Sequence, residues 1–333
     1  MKTQMPRLIA LFTVLVAAAI VTGCSKKAAE PSPVGGLVKI KFQTDWYPQP
    51  EHGGYYQALA KGYYAAEGLD VEILPGGPNA QVMAGVAIGR ADIGMTNGDD
   101  VIVAVARGVP IKMVGAEMQR DPQGILFHTE HPLTSLRDLE GRTLMAGAGS
   151  TWLEVLRKKQ GVNFNLLPLA GDLARFMNST EFVQQCFVTH EPFFARQRGA
   201  NVGALLIASD TYEPYRVMFT SNDFLAKHPE IVAKFVSASI KGWVDYLTGD
   251  ATPGNKLLAA KSNDHDLSPE FIAYSIKAMN DYKLVLGDPA KGEEAGQLKA
   301  ARLEKQIKLL QEIGVLDKPV DLKDVVSFDF APH

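Results

Sequence analysis

The sequence is poor in groups that would stabilise it covalently or through a metal. Its 333 residues include two cysteines, Cys24 and Cys186. If Cys24 is modified, no intrachain disulfide remains possible. Cys186 lies in the apolar run Phe182 to Val188, where a free thiol usually behaves as a small buried hydrophobe. The seven histidines suggest no metal site. His128 and His131 are close, but Pro132 and a strand-to-loop setting disfavour helical presentation, and no cysteine or carboxylate cluster completes a shell. Neither a metal nor a cofactor is expected. Charge is nearly balanced, with 34 Lys and Arg against 37 Asp and Glu, and basic runs are absent. That excludes the electrostatic footprint of a nucleic-acid binder. No repeat of fixed period is present, which excludes a solenoid or propeller. Beyond the N-terminal region, no stretch is long and apolar enough to span a bilayer.

The N-terminus carries Lys2 and Arg7, followed by an uncharged, mostly apolar run from Leu8 to Val21. This run is shorter than the about 20 residues a membrane helix needs, and its layout is that of an export leader. Val21-Thr22-Gly23-Cys24 resembles the lipobox of bacterial lipoproteins. The resemblance implies a leader over 1–23, and Cys24 as an acylated first mature residue that anchors the chain to a membrane from the extracytoplasmic side. Ser25 to Gly36 (SKKAAEPSPVGG) cannot bury an apolar face, so 24–36 reads as a flexible tether with structure beginning near Leu37.

Val38 to Thr44 alternates apolar and polar residues, the period of a half-buried strand. A helix from about Tyr55 to Gly68 follows, with Gly68 placed for a left-handed cap, then a strand over Leu69–Leu74. The alternation continues through helices at 80–88 and 99–107 and strands at 91–95 and 111–116. A second series starts at Ile125, with strands at 125–128, 143–146, 164–167, 185–189 and 204–209 separated by helical stretches. Strands alternating with helices predict mostly parallel sheets with helices on their faces. After Tyr215 the pattern turns helical, with 229–247, 269–282 and 293–313 amphipathic and strands nearly absent. The expected domains are a first lobe from 37–124 and 216–333 and a second from 125–215.

Asp45-Trp46-Tyr47-Pro48 through His52-Gly53-Gly54-Tyr55, Lys61-Gly62-Tyr63-Tyr64 and Glu67 to Ile73 resemble the opening of one periplasmic-binding-protein family. It includes thiamine-pyrimidine, riboflavin, alkanesulfonate, taurine and nitrate binders of ABC transporters. Gly89-Arg90-Ala91-Asp92-Ile93-Gly94 and His190-Glu191-Pro192 resemble two further marks of that family. Two departures are Gln49, where asparagine is usual after the proline, and the loop Gly147-Ala148-Gly149-Ser150-Thr151-Trp152. The resemblance implies an α/β, type II two-lobed architecture with a ligand cleft between the lobes.

Trp46 follows the first strand at its carboxyl end, the edge where ligands lie in open parallel sheets, and its indole can stack on a flat ligand. Asp45 can accept from a ligand amine or cap the local turn. His52, at a helix start, can donate to a ligand carbonyl. Asn97 follows a strand and is the contact candidate there, with Asp99 as helix cap. The loop 147–151 lacks the Gly-Lys-Ser/Thr of a phosphate loop and the spacing of a nucleotide fingerprint. Thr151 and Glu154 there read as a capping box, and Ser150 as a direct donor. Glu191 should face the cleft and accept from a ring N–H, with Thr189 and His190 beside it.

These readings converge on a monomeric, lipid-anchored binding protein. It closes on a small heteroaromatic ligand, a thiamine-precursor pyrimidine or flavin, and delivers it to an ABC permease. A sulfonate or other small anion is the alternative ligand and would rely on the helix start near Ser150. The family also contains synthases that build the thiamine pyrimidine from their own histidine and pyridoxal phosphate. Those require a cofactor-bearing lysine near that histidine, and none stands between Lys41 and Lys61.

Overall fold

The computed structural model describes residues 33–34, 36–77, 80–169, 172–262 and 267–330. The leader, Cys24 and nearly all of the tether lie outside the described residues. Structure begins slightly earlier than expected. β1 (Pro33–Val34) pairs antiparallel with the start of β2 (Leu37–Gln43) across a turn in which Gly36 has φ 89°. In β2, Ile40 and Phe42 are buried while Lys39 and Lys41 face solvent.

The chain then forms α1 (Gly53–Ala60), α2 (Tyr63–Ala66), β3 (Leu69–Leu74), α3 (Val82–Ala87), β4 (Ile93–Asn97), α4 (Gly98–Ala106) and β5 (Ile111–Met118). The single helix expected over 55–68 is two helices. Gly62 between them has φ 71°, a left-handed conformation that ends one helix and re-aims the chain for the next. Gly68 takes the anticipated left-handed position at φ 79°.

The second series comprises β6 (Gln123–His128), β7 (Thr143–Ala146), α5 (Thr151–Glu154), β8 (Asn165–Pro168), α6 (Ala174–Met177), β9 (Val183–Phe187), α7 (Glu191–Gln197) and β10 (Val202–Leu206). The return contributes β11 (Arg216–Ser221), α8 (Asn222–Lys227), α9 (Pro229–Thr248), α10 (Thr252–Lys261), α11 (Pro269–Asp281), α12 (Ala300–Glu312) and α13 (Leu322–Val325).

Two sheets result, one per lobe. The first runs β3-β2-β4-β11-β5, with β1 also on β2, and the second runs β10-β6-β9-β7-β8. By pairing, β2, β3, β4 and β5 point one way, and β11 is reversed between β4 and β5. Likewise β7, β8, β9 and β10 point one way, and β6 is reversed. Each long reversed strand is the one the chain enters on crossing between sheets. Both sheets are therefore mostly parallel in direction and flanked by helices, as expected.

Two expectations for the return are corrected. β11 is an interior strand of the first sheet, between β4 and the edge strand β5, and all six of its residues are buried. A strand buried on both faces has no polar-apolar alternation to reveal it. The helix expected over 293–313 starts only at Ala300. Before it, Gly296 has φ 83°, and Glu293 is buried, accepting from Arg120 Nη2 at 2.8 Å.

Aromatic packing fixes the first lobe. Phe42 of β2 lies 4.3 Å from Tyr55 of α1 and 5.1 Å from Phe235 of α9, and Phe235 stacks on Tyr64 at 5.3 Å. Each such ring contributes about 1.5–3 kcal/mol by leaving water. A separate apolar cluster straddles the lobes, joining Val101 and Ile102 of α4 to Trp152 and Leu156 of the second lobe and Leu310 of α12. The lobes thus share packed surface on one side of the cleft.

Candidate functional site

Strand direction explains what reaches the cleft. Each sheet sends the carboxyl ends of its parallel strands and the amino end of its reversed strand to one edge, and the two edges face each other. In the first lobe, Asp45 and Trp46 follow β2, Asn97 ends β4, and Arg216 opens β11, paired in register with Asn97. In the second, Ser150 follows β7, Leu169 follows β8, His190 and Glu191 follow β9, and Gln123 opens β6 opposite Phe187. A cavity of about 400 Å³ between the lobes is lined by residues from both edges. That is ample for a single fused-ring molecule.

The first-lobe wall centres on a buried guanidinium. Arg216 donates from Nη2 to Asp45 Oδ2 and from Nη1 to Asn97 Oδ1 at 2.9 Å. Its Nε lies 3.6 Å from Glu117 Oε2 and its Nη1 3.9 Å from Asp121 Oδ2. Burial alone would raise the Asp45 carboxyl, but Arg216 and His52 outweigh it and hold Asp45 well below the usual carboxylate range. The other two carboxylates go the opposite way. Burial dominates for Glu117, whose oxygens have no hydrogen-bond partner, and its pKa is well raised. Burial, partly countered by Arg216, puts Asp121 at about 6. Trp46 is 42 % exposed, with one edge against Tyr47 at a centroid distance of 5.6 Å, so its indole stands at the cavity without a covering partner.

In the second-lobe wall, Gln185 Oε1 accepts from Gly147 N at 2.9 Å, and its Nε2 donates to Gln123 Oε1 at 3.0 Å. Ser150 Oγ donates to Gly147 O at 2.9 Å. Phe187 lies under Arg216, whose guanidinium carbon is 5.8 Å from the ring centroid. Glu191 Oε2 accepts from Phe187 N at 2.7 Å, which anchors the carboxylate and leaves Oε1 uncommitted. Burial raises the Glu191 pKa.

Of the residues singled out from the sequence, Asp45, Trp46, Asn97, Ser150 and Glu191 line the cavity. His52, Thr151 and Thr189 do not. His52 is fully buried behind Asp45, donating from Nε2 to its Oδ1 at 3.3 Å, so it braces that carboxylate instead of reaching a ligand. Thr189 is fully buried and donates to Glu51 Oε1 of the first lobe. Thr151 lies near Asp99 of the first lobe and helps to lower that carboxyl against the dominant effect of burial, which raises it. The capping readings are corrected as well. Asn97 occupies the cap position of α4, while Asp99 is buried and accepts from Tyr212 Oη at 2.5 Å. The cap of α5 is Ser150, with no capping box from Thr151 and Glu154.

Reading only strand carboxyl ends passed over Arg216, Gln123, Gln185 and Phe187. Arg216 and Gln123 come from the amino ends of the reversed strands. An arginine heading an apolar run, Arg216-Val217-Met218-Phe219, was the available signal, since a charge in that setting needs buried partners.

Residues 49–249 match the family described as NMT1/THI5 like. A riboflavin-binding protein, RibY, from Chloroflexus aurantiacus is 25% identical, covering 98% of this chain and 95% of its own. A 4-amino-5-hydroxymethyl-2-methylpyrimidine phosphate synthase of Saccharomyces cerevisiae is 27% identical over 64% of this chain and 68% of its own. Among solved structures, the alkanesulfonate-binding protein SsuA from Xanthomonas axonopodis pv. citri, bound to MOPS, superposes with a TM-score of 0.63. It is 16% identical and covers 90% of this chain and 99% of its own, a likeness of fold.

Proposed function

This chain belongs to the NMT1/THI5-like family, and from that premise we propose that it is a solute-binding protein that takes a flat heteroaromatic molecule, flavin- or pyrimidine-like, between its lobes. The observation that carries the reading is the shared cavity, with Trp46 on one wall and Glu191 on the other. The indole stacks on the ring face, and the free Glu191 oxygen accepts from a ring or exocyclic N–H. The near full-length likeness to a protein named for riboflavin binding supports the same choice. The halves that move are those expected, 37–124 with 216–333 against 125–215, except that Gln123 and Gly124 belong to β6 and travel with the second lobe, so the hinges lie where the chain enters β6 and β11. Closure is driven by contacts the ligand makes with both walls at once. Acylated Cys24 holds the monomer at the outer face of a membrane, and an ABC permease receives the ligand.

Catalysis of the synthase kind is disfavoured here. The histidine at the matching motif, His52, is sealed beneath Asp45 and has no access to the cavity. A thermal-shift screen of the full chain against flavins, pyrimidines, sulfonates and pyridoxal phosphate tests the proposal. A cognate flat ligand at 100 to 1,000 times its Kd should stabilise the fold by about 3–4 kcal/mol. Trp46→Ala should weaken that ligand by about 1–3 kcal/mol. A screen without stabilisation, or an imine absorbance band with pyridoxal phosphate, would overturn it.

A further inference from the structure

The charges around the cavity carry the reading further, to the class of ligand admitted, and this step rests on the cleft being a binding site. The cavity wall holds two carboxylates, Asp45 and Glu191, one guanidinium, Arg216, and one imidazole, His190, whose Nδ1 lies 3.7 Å from Glu191 Oε2. No lysine and no second arginine lines it among the described residues. Pro78, Asn79, Ala170 and Gly171, which adjoin the cleft loops in sequence and lie outside the described residues, carry no charge.

Arg216 is already spent. Three carboxylates, those of Asp45, Glu117 and Asp121, stand within 4 Å of its nitrogens, and Asn97 takes a further N–H. Its side chain is 4 % exposed. An entering anion would have to displace Asp45 from it and leave that half-buried carboxylate with His52 alone. The helix start of the second wall, where α5 runs on as a helical stretch to Lys159, is partly occupied from within: Gly147 N is given to Gln185, and Ser150 N and its hydroxyl are both given to Gly147 O. What remains unfilled is the acceptor Glu191 Oε1, with the neighbouring His190 Nδ1, across the cavity from the half-exposed Trp46 indole.

We infer that the cleft selects uncharged or cationic ligands that present an N–H donor to Glu191, and rejects sulfonates, carboxylates and phosphates. The fold shared with SsuA therefore does not extend to its ligand chemistry, because the cation a sulfonate needs is cancelled in place. An anion in this site meets uncompensated like charge, the arrangement by which interfaces reject wrong partners.

Calorimetric titration of the full chain with matched pairs tests this: riboflavin against riboflavin 5′-phosphate, uracil against orotate, and MOPS alone. The uncharged member should bind about 100-fold more tightly or better, with no heat from MOPS at millimolar concentration. Glu191→Gln, which keeps the contact to Phe187 N, should weaken the uncharged member about 10-fold and bring the two members of the pair closer together. An anion binding as tightly as its uncharged partner overturns the charge selection while leaving solute binding intact. Silence from every probe overturns the solute-binding reading, and this inference with it.

Discussion

A guanidinium surrounded by three carboxylates cannot satisfy them all. Arg216 keeps Asp45 ionised, while Glu117 and Asp121 are left to bind protons more readily than they would in water. A carboxyl whose folded pKa is raised favours the fold fully below its unfolded pKa, and that contribution is lost as pH climbs through the folded value. For Asp121 the window runs from 3.8 to about 6. Over it, stability should fall by roughly 2–3 kcal/mol on account of this group. Asp121→Asn still accepts from Gln123 N but carries no charge, so urea unfolding across this range should show a flatter profile for the variant. Equal slopes would mean that Asp121 is not protonated preferentially in the fold. At this scale the sequence was partly legible. Trp46 and Glu191 follow strands whose direction was deducible, whereas the partners of Arg216 come from β2, β4, β5 and the segment after it, separations no local pattern encodes.

α1 and α9 cross at two glycines. A Cβ on Gly242 would meet the Gly54 carbonyl and come within 2.6 Å of the Ala58 methyl, and one on Gly54 would enter the Trp243 ring. The crossing has no slack, and it fixes α1 directly behind the turn Pro50–His52 that bears Glu51 and His52. Gly242→Ala should therefore cost about 1–3 kcal/mol in urea unfolding and also weaken ligand binding, because displacing α1 shifts the brace under Asp45. Destabilisation without loss of affinity would show that the turn is held independently of α1. Elements with strong local signals were read correctly: β3 and β7 occupy the expected residues, and α9 and α11 begin at their expected prolines. Those set by tertiary context were not. β11 hides its period by being buried on both faces, α10 lies outside the predicted helices, and the approach to α12, turning at Gly296, carries Glu293 paired with Arg120.

Several bonds run from one lobe to the other or to the helices of the return. Thr189 bonds Glu51, Tyr274 Oη donates to Val188 O at 2.9 Å, and Ser275 Oγ donates to Thr189 O at 2.5 Å. Thr189→Val leaves Glu51 Oε1 buried without its donor, a cost of about 1–3 kcal/mol borne only when the lobes are together. The variant should lose about tenfold or more in apparent affinity and show a larger radius of gyration in solution scattering, with Thr189→Ser restoring both. An unchanged radius and affinity would make the bond incidental. The two-lobed plan was legible in the alternation of elements. The shared apolar cluster was not, because residues 101–102, 152–156 and 310 meet only once the chain has crossed twice.

Cys186 is 2 % exposed, yet it forms part of the cavity wall. If Cys24 is acylated as proposed, Cys186 is the only thiol in the molecule. A thiol reagent would reach it only while the jaws are apart, so the modification rate is a clock for opening that needs no engineered probe. Ligand should slow that clock in proportion to occupancy.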